Sequence, residues 1–158
     1  MTTEASIEQA TIDWLTDLGY THKLGTSLPQ NNTEVVLTEP LLQFIEKQYP
    51  HIPKEIQQLA VAELSNNVGV DLDHRNRDFH LKLTKGKEYA YEDADGQEKA
   101  VHIYPIDFEE PDNNVFWAVN QFSITGKNKR RPDIIIYING LPLVIFELKN
   151  WYDDNTNL

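Results

Sequence analysis

The chain has 158 residues, a length that suits one domain, and its 40% hydrophobic and 25% charged residues are typical of globular proteins. It contains no cysteine, which excludes disulfide scaffolds, zinc–thiolate sites, iron–sulfur clusters and cysteine nucleophiles. Its formal net charge of −11 argues against a protein that coats DNA through a broad basic face. Neither a secretory signal nor an apolar run long enough for a membrane helix is evident. We therefore expect a soluble, cytoplasmic protein with no membrane partner.

Three helices are predicted in the first 70 residues. Ser6 and Gln9 have the spacing of a capping box, and Gly19 supplies a C-terminal stop for the first helix. Pro40 and Pro53 each suit the first turn of a helix. The first predicted helix lies between the cap at Ser6 and the stop at Gly19, and the other two cover about residues 40–49 and 53–66.

From about residue 87 the chain consists of β-like runs separated by turn residues. The predicted strands are Glu88–Tyr91, Ala100–Phe108, Val115–Ile124, Ile134–Ile138 and Leu143–Lys149. Residues 20–39 are polar, and we interpret them as a loop with one short strand at Val35–Leu37. This order predicts an α+β or α/β layer domain with helices against a sheet, and we take it as a single α/β domain over residues 1–158. Its helical part covers about 1–70 and its sheet part about 87–150.

Two basic stretches stand out in an otherwise acidic chain. One contains Lys127, Lys129, Arg130 and Arg131, and the other is spread over residues 75–87. Taken alone, such clusters are typical of solvated loops. The segment 71–80 is rich in aspartate and histidine, but its spacing matches no metal-binding motif, so we interpret it as a polar helix or loop.

Three ionisable residues lie at one end of a predicted apolar hairpin. Asp133 precedes one apolar strand, and Glu147 and Lys149 end the next, with the hairpin signal Asn139-Gly140 between the strands. Glu147 and Lys149 share a face because strand side chains alternate. Two carboxylates could hold a divalent ion for phosphodiester hydrolysis, while Lys149 orients water or neutralises charge developing on the phosphate. A structural ion pair is the competing interpretation.

The register of this hairpin decides whether the carboxylates meet. A strict two-residue loop at Asn139-Gly140 pairs Glu147 with Pro132 and leaves Asp133 on the opposite face. Pairing Asp133 with Glu147 requires a three-residue loop or a bulge near the turn. Pro142, which cannot donate a ladder hydrogen bond, favours such an irregularity. We predict the register that forms the site.

The stretch 106–150 resembles the N-terminal nuclease domain of the R subunit of type I restriction–modification enzymes, a member of the PD-(D/E)xK superfamily. The resemblance rests on the motifs IDF…NN…F…VNQF, RRPD, NGLPL and ELKN. The upstream segments SIEQATIDWLTDLGY and HRNRDFHLKLTKG are compatible with it, so the likeness covers most of the chain. It implies a restriction-endonuclease-like fold, with a mixed central sheet flanked by helices.

Carried over by position, the resemblance implies that Asp133 and Glu147 bind Mg²⁺ and that Lys149 is the catalytic lysine. The superfamily often adds an acid from the first helix, for which Glu8 is the candidate and Glu4 the rival. A solvated glutamate on the helix surface is the alternative for Glu8. The basic residues expected to steer the DNA backbone are Lys127, Lys129, Arg130 and Arg131.

The implied reaction is hydrolysis of duplex DNA, with the modification and specificity subunits as partners. The family continues with a helix bearing glutamine and tyrosine and with ATP-driven motor domains, so we expect the fold to be truncated at its C-terminus. No phosphate-binding loop GxxxxGK[ST] is present, and no cofactor-binding residues are expected in these 158 residues. The alternatives are a non-catalytic DNA-binding or subunit-assembly module with a relic site, and a stand-alone repair nuclease or junction resolvase.

Overall fold

The computed structural model describes residues 3–28, 35–66, 71–125 and 129–149. Its helices and strands, in chain order, are α1 (Glu4–Asp17), β1 (Thr21–Leu24), α2 (Thr38–Gln48), α3 (Lys54–Ser65), α4 (Leu72–Lys85), β2 (Lys87–Glu92), β3 (Glu98–Ile103), β4 (Phe116–Asn120), β5 (Ile124–Thr125), β6 (Lys129–Arg130), β7 (Ile134–Ile138) and β8 (Leu141–Phe146). Chain contacts group Met1–Val35 with Phe116–Leu158 as a first unit, and Val36–Val115 as a second unit. The expectation of one domain over residues 1–158 stays a prediction.

A four-stranded sheet in the order β1-β4-β7-β8 organises the first unit. Strand β1 pairs with β4 in parallel, whereas β4–β7 and β7–β8 are antiparallel. The sheet is therefore mixed, which confirms the predicted α/β class. Helix α1 packs on one face of the sheet, where the buried side chains of Ile12 and Leu15 meet those of Ala118, Ile134 and Ile136. Burial of this apolar stripe is what holds the helix against the strands.

Helix α1 begins one turn earlier than predicted. The Thr3 hydroxyl accepts the N–H of Ser6 at 3.2 Å, and the Ser6 hydroxyl accepts the N–H of Thr3 at 2.9 Å. The capping box is therefore Thr3 with Ser6, and the prediction that Ser6 caps the helix is wrong because a hydroxyl three residues upstream takes that position. Gly19, at φ 94°, follows the end of the helix as predicted.

Helices α2, α3 and α4 and a β-hairpin belong to the second unit. The α2 residues Leu41 and Phe44 and the α3 residues Ala60 and Leu64 are buried. Both helices begin close to the prolines that predicted them. Strands β2 and β3 pair in antiparallel fashion across a turn that contains Asp95 and Gly96.

Sequence patterns missed β1 and β6, left α4 undecided between a helix and a loop, and misplaced other elements. Strand β1 lies in the segment predicted to be a loop, and residues 35–37, predicted as a strand, form none. Helix α4 has no fully buried residue and so lacks the apolar stripe that would have predicted it. The strand predicted over Val115–Ile124 divides into β4 and β5, because Gln121 takes a positive φ of 57° between them. The strand predicted to reach Phe108 ends at Ile103.

None of the helices in the described ranges is long and apolar enough to cross a membrane.

Candidate active site

The β7–β8 hairpin carries the three predicted site residues. Asn139 and Gly140 form its two-residue turn with φ values of 50° and 82°, the positive pair that a type I′ turn requires. Next to this turn Tyr137 pairs with Pro142, but one step further Ile136 pairs with Val144. Leu143 is therefore the extra residue of a β-bulge. The predicted irregularity near the turn is confirmed.

The bulge shifts the register towards the predicted site. Beyond it Ile134 pairs with Phe146, and the same alignment continued by one residue brings Asp133 opposite Glu147. Asp133 Oδ2 accepts the backbone N–H of Leu148 at 2.6 Å, which holds the Asp133 carboxylate against the end of β8. The structure thus brings Asp133 beside the Glu147–Lys149 segment.

The side chains around the end of β8 differ in exposure. Phe146 and Leu148 are partly buried against the core cluster beneath α1, whereas Glu147 and Lys149 are exposed. Strand β8 ends at Phe146, so the strand predicted to reach Lys149 stops three residues earlier, and Glu147 and Lys149 lie just beyond it. Asp133 is half-buried. The arrangement leaves two carboxylates and an ammonium group accessible from solvent at the end of a hydrophobic hairpin.

Glu8 is held by a different set of contacts. The side-chain amide of Asn120 donates to Glu8 Oε1 at 2.7 Å, and Asn120 Oδ1 lies 2.9 Å from His22 Nε2. Since an amide oxygen only accepts hydrogen bonds, this contact places a proton on His22 Nε2. Asn120 is 6% exposed and pairs with Ile134 across β4 and β7. Buried Asn120 therefore connects α1, β1 and β4.

Glu8 does not join the two strand carboxylates in a metal cluster. Across the described ranges, no group of three or more His, Cys, Asp and Glu side chains is arranged to hold a metal ion. The rival Glu4 lies exposed in the first turn of α1. The sequence analysis did not predict that Asn120 and His22 contact each other beside Glu8. The available signal was the VNQF motif, which contains Asn120. A role for Glu8 in catalysis stays a prediction.

The basic cluster lies next to the hairpin along the chain. Lys129 and Arg130 form β6, which pairs with β5, and both are exposed together with Arg131. None of these three takes part in an ion pair within the described part of the chain. Lys127 lies outside the described residues. Only Pro132 separates Arg131 from Asp133, so these basic side chains lie next to the Asp133 carboxylate in the sequence.

The segment rich in aspartate and histidine forms the start of α4. Asp71 caps this helix by accepting the backbone N–H of His74 at 2.9 Å. These contacts lower the pKa of Asp71, the backbone hydrogen bond from His74 being the largest cause. Asp78 pairs with Lys82 at 2.6 Å along the same helix. Its charged groups thus serve helix capping and ion pairing.

Comparisons with known proteins agree on one group of proteins. A family model described as the N terminus of the type I restriction enzyme R protein matches residues 1–157. The chain is 35% identical over 168 residues to the type I restriction enzyme HindI endonuclease subunit of Haemophilus influenzae, covering 100% of this chain and 16% of that protein. It is 29% identical over 154 residues to a protein of Methanocaldococcus jannaschii provisionally named a type I restriction enzyme MjaIXP endonuclease subunit. This match covers 91% of this chain and 15% of that protein. The chain thus spans about one sixth of the length of these relatives.

Proposed function

The chain belongs to the family of type I restriction enzyme R protein N termini, and on this premise we propose that it is the divalent-metal-dependent endonuclease domain of such a protein. The substrate is duplex DNA, and the reaction is hydrolysis of a phosphodiester bond. Asp133 and Glu147 hold the metal ion, and Lys149 acts on the reacting phosphate. The names of the relatives, which are endonuclease subunits, support this proposal.

The observation that carries the proposal is the register of the β7–β8 hairpin. Without the bulge at Leu143, Asp133 and Glu147 would fall on opposite faces of the sheet. With it, the alignment brings them to the same position, and the bond from the Leu148 N–H orients the Asp133 carboxylate. This register collects a second carboxylate and an ammonium group near Asp133, and both Glu147 and Lys149 are exposed to solvent.

The donor set fits a hard divalent ion. Mg²⁺ typically binds one or two carboxylates and completes its shell with water and substrate phosphate oxygens, which suits two accessible carboxylates without a third. When bound, the ion would polarise the phosphate and lower the pKa of coordinated water. Lys149, two residues beyond Glu147 on the same face, neutralises the charge that develops on the phosphate oxygens or orients the attacking water.

DNA reaches the site through charge contributed by the chain and by its partners. Lys129, Arg130 and Arg131 are exposed and unpaired in the described ranges, and with Lys127 they attract the phosphate backbone towards Asp133. A chain with a net charge of −11 cannot supply most of the DNA affinity. We propose that the modification and specificity subunits supply it, and that ATP acts only in motor domains elsewhere in the R protein.

A non-catalytic DNA-binding or subunit-assembly module is the second candidate. The observation that favours it is the hydrogen bond from the Leu148 N–H to Asp133 Oδ2, which gives this carboxylate a structural role without a metal ion. In this case Asp133 would serve only as the acceptor for the Leu148 N–H. Metal binding then has no dependence on Glu147, which separates the two candidates.

Metal titration by calorimetry tests the proposal on the 158-residue chain. We expect one saturable Mn²⁺ or Mg²⁺ site that Asp133→Asn and Glu147→Gln each weaken at least about tenfold, because each removes one of two anionic ligands. Asp17→Asn is the matched control, since Asp17 is an exposed carboxylate at the end of α1. Circular dichroism establishes that each variant is folded. A folded wild-type chain without a saturable site, or variants that bind like Asp17→Asn, would refute the proposal and favour the second candidate.

A further inference from the structure

A cavity in the second unit is lined by aromatic and acidic side chains. Its volume is about 390 Å³, and its walls are the last turns of α2 and the segment that follows β3. The lining residues are Phe44, Gln48, Tyr49, Tyr104, Ile106, Asp107, Phe108 and Glu109. Phe44 and Ile106 are buried at 3% and 6% exposure, whereas Phe108 is 60% exposed. The cavity therefore has an apolar floor and an accessible aromatic rim.

Hydrogen bonds between the two walls hold the cavity open. The Tyr49 hydroxyl accepts the backbone N–H of Tyr104 at 2.8 Å, and Gln48 Nε2 donates to Asp107 Oδ2 at 3.1 Å. The backbone N–H groups of Glu109 and Glu110 donate to Asp107 Oδ1 at 3.1 and 2.9 Å. These bonds fix the backbone that carries Phe108, so the rim is formed before any ligand arrives.

The cavity carries negative charge, and the carboxylates in its wall form no ion pair in the described ranges. The donors around Asp107 are all uncharged, the strongest contribution coming from Asn113 at 2.8 Å, and they lower the pKa of Asp107. Neither Asp107 nor the exposed Glu109 or Glu110 has an ion-pair partner in the described ranges. The C-terminal end of α2, which carries partial negative charge, lies in the same wall.

We propose that this cavity is a docking site for an arginine side chain on a partner protein. A planar guanidinium can stack on Tyr104 or Phe108 while its N–H groups reach the Glu109 carboxylate, which an ammonium cannot do in the same way. The positive charge of the arginine complements the unpaired carboxylates, which lie beside aromatic side chains in the cavity wall. The site belongs to the second unit and involves none of Asp133, Glu147 and Lys149. The test of this docking site is therefore independent of the test of the proposed nuclease activity.

Nuclear magnetic resonance titration of the 158-residue chain with three peptides tests this proposal. The probes are acetyl-Gly-Arg-Gly-amide, its lysine counterpart and its uncharged citrulline counterpart. We expect saturable shifts of the backbone amides at 104–109 with the arginine peptide, weaker binding of lysine, and no saturation with citrulline. Phe108→Ala and Glu109→Gln should each weaken binding of the arginine peptide about threefold to tenfold.

Matched controls separate the cavity from general charge effects. Glu92→Gln removes a carboxylate from β2 of the same unit, and Trp14→Ala removes an aromatic ring that is 62% exposed in α1. Both should bind the arginine peptide like the wild type. Absence of a saturable shift in the folded chain would overturn the proposal, as would equal binding of citrulline or lysine, or equal losses in the control variants.

Discussion

Gly86, at the junction of α4 and β2, should tolerate alanine far less well than a second glycine with a similarly positive φ. Gly86 has φ 63° and ψ −167°, and a Cβ built on it would lie 2.6 Å from the Ile103 carbonyl oxygen and 2.9 Å from the His102 ring. The carbonyl belongs to β3, which pairs with β2, and His102 Nε2 lies 2.6 Å from the Lys85 carbonyl oxygen. The Ile103 oxygen is a backbone atom of a paired strand, and the His102 ring cannot move without breaking its contact with Lys85.

Gly96, in the turn between β2 and β3, provides the comparison. Its φ is 74°, and a Cβ there would meet no atom within 4 Å. Gly96→Ala therefore incurs only the cost of a left-handed conformation, about 1–2 kcal/mol. Gly86→Ala adds the overlap with Ile103 and His102, which costs a further 1–3 kcal/mol or so. We expect the free energy of unfolding to be lower in Gly86→Ala by about that difference.

Urea denaturation followed by far-ultraviolet circular dichroism measures the two variants. Fluorescence is unsuitable, because residues 36–115 contain no tryptophan. With a slope of about 1–3 kcal/mol per molar urea, the unfolding midpoint of Gly86→Ala should lie below that of Gly96→Ala by roughly 1 M. Hydrogen exchange of the β2 amides localises the effect. Equal midpoints would refute the argument from overlap and leave backbone conformation as the whole cost.

Two further predictions concern polar contacts. Asn120→Ala removes the two side-chain hydrogen bonds that Asn120 makes to Glu8 and His22. It should lower the free energy of unfolding, measured by urea titration, by about 1–3 kcal/mol. The isosteric Asn120→Asp should impair chiefly the contact with Glu8. The pKa of Glu63 is lowered, since burial raises it but the hydrogen bond from Lys87 and its positive charge outweigh that effect. A carboxylate with a depressed folded-state pKa contributes stability above its ordinary pKa of 4.5, and this is lost as the pH falls through the lower folded-state value. Between pH 7 and pH 3, Glu63→Gln should therefore lose less stability than the wild type, and equal losses would contradict the assignment.

Local sequence patterns were sufficient to predict those turns and helices that form for local physical reasons. Asn139-Gly140 between two apolar runs predicted the β7–β8 turn because these residues readily adopt positive φ. Prolines in or just before the first turn, followed by apolar residues at helical spacing, predicted α2 and α3. The three residues of the candidate site were found in the same way, as charges in positions where charge is costly.

Tertiary structure decided what depends on distant partners. Strand β1 is polar by pattern and exists because it pairs in parallel with β4, about a hundred residues away in the chain. Asn120 reads as an ordinary polar residue until folding buries it between Glu8 and His22. From the sequence, the two carboxylates meet only if the β7–β8 hairpin contains an extra residue. Only strand pairing shows this residue to be Leu143, and the resulting alignment, continued by one residue, brings Asp133 opposite Glu147. Residue types and turns are local properties, whereas register and burial arise from contacts between segments that the sequence keeps apart.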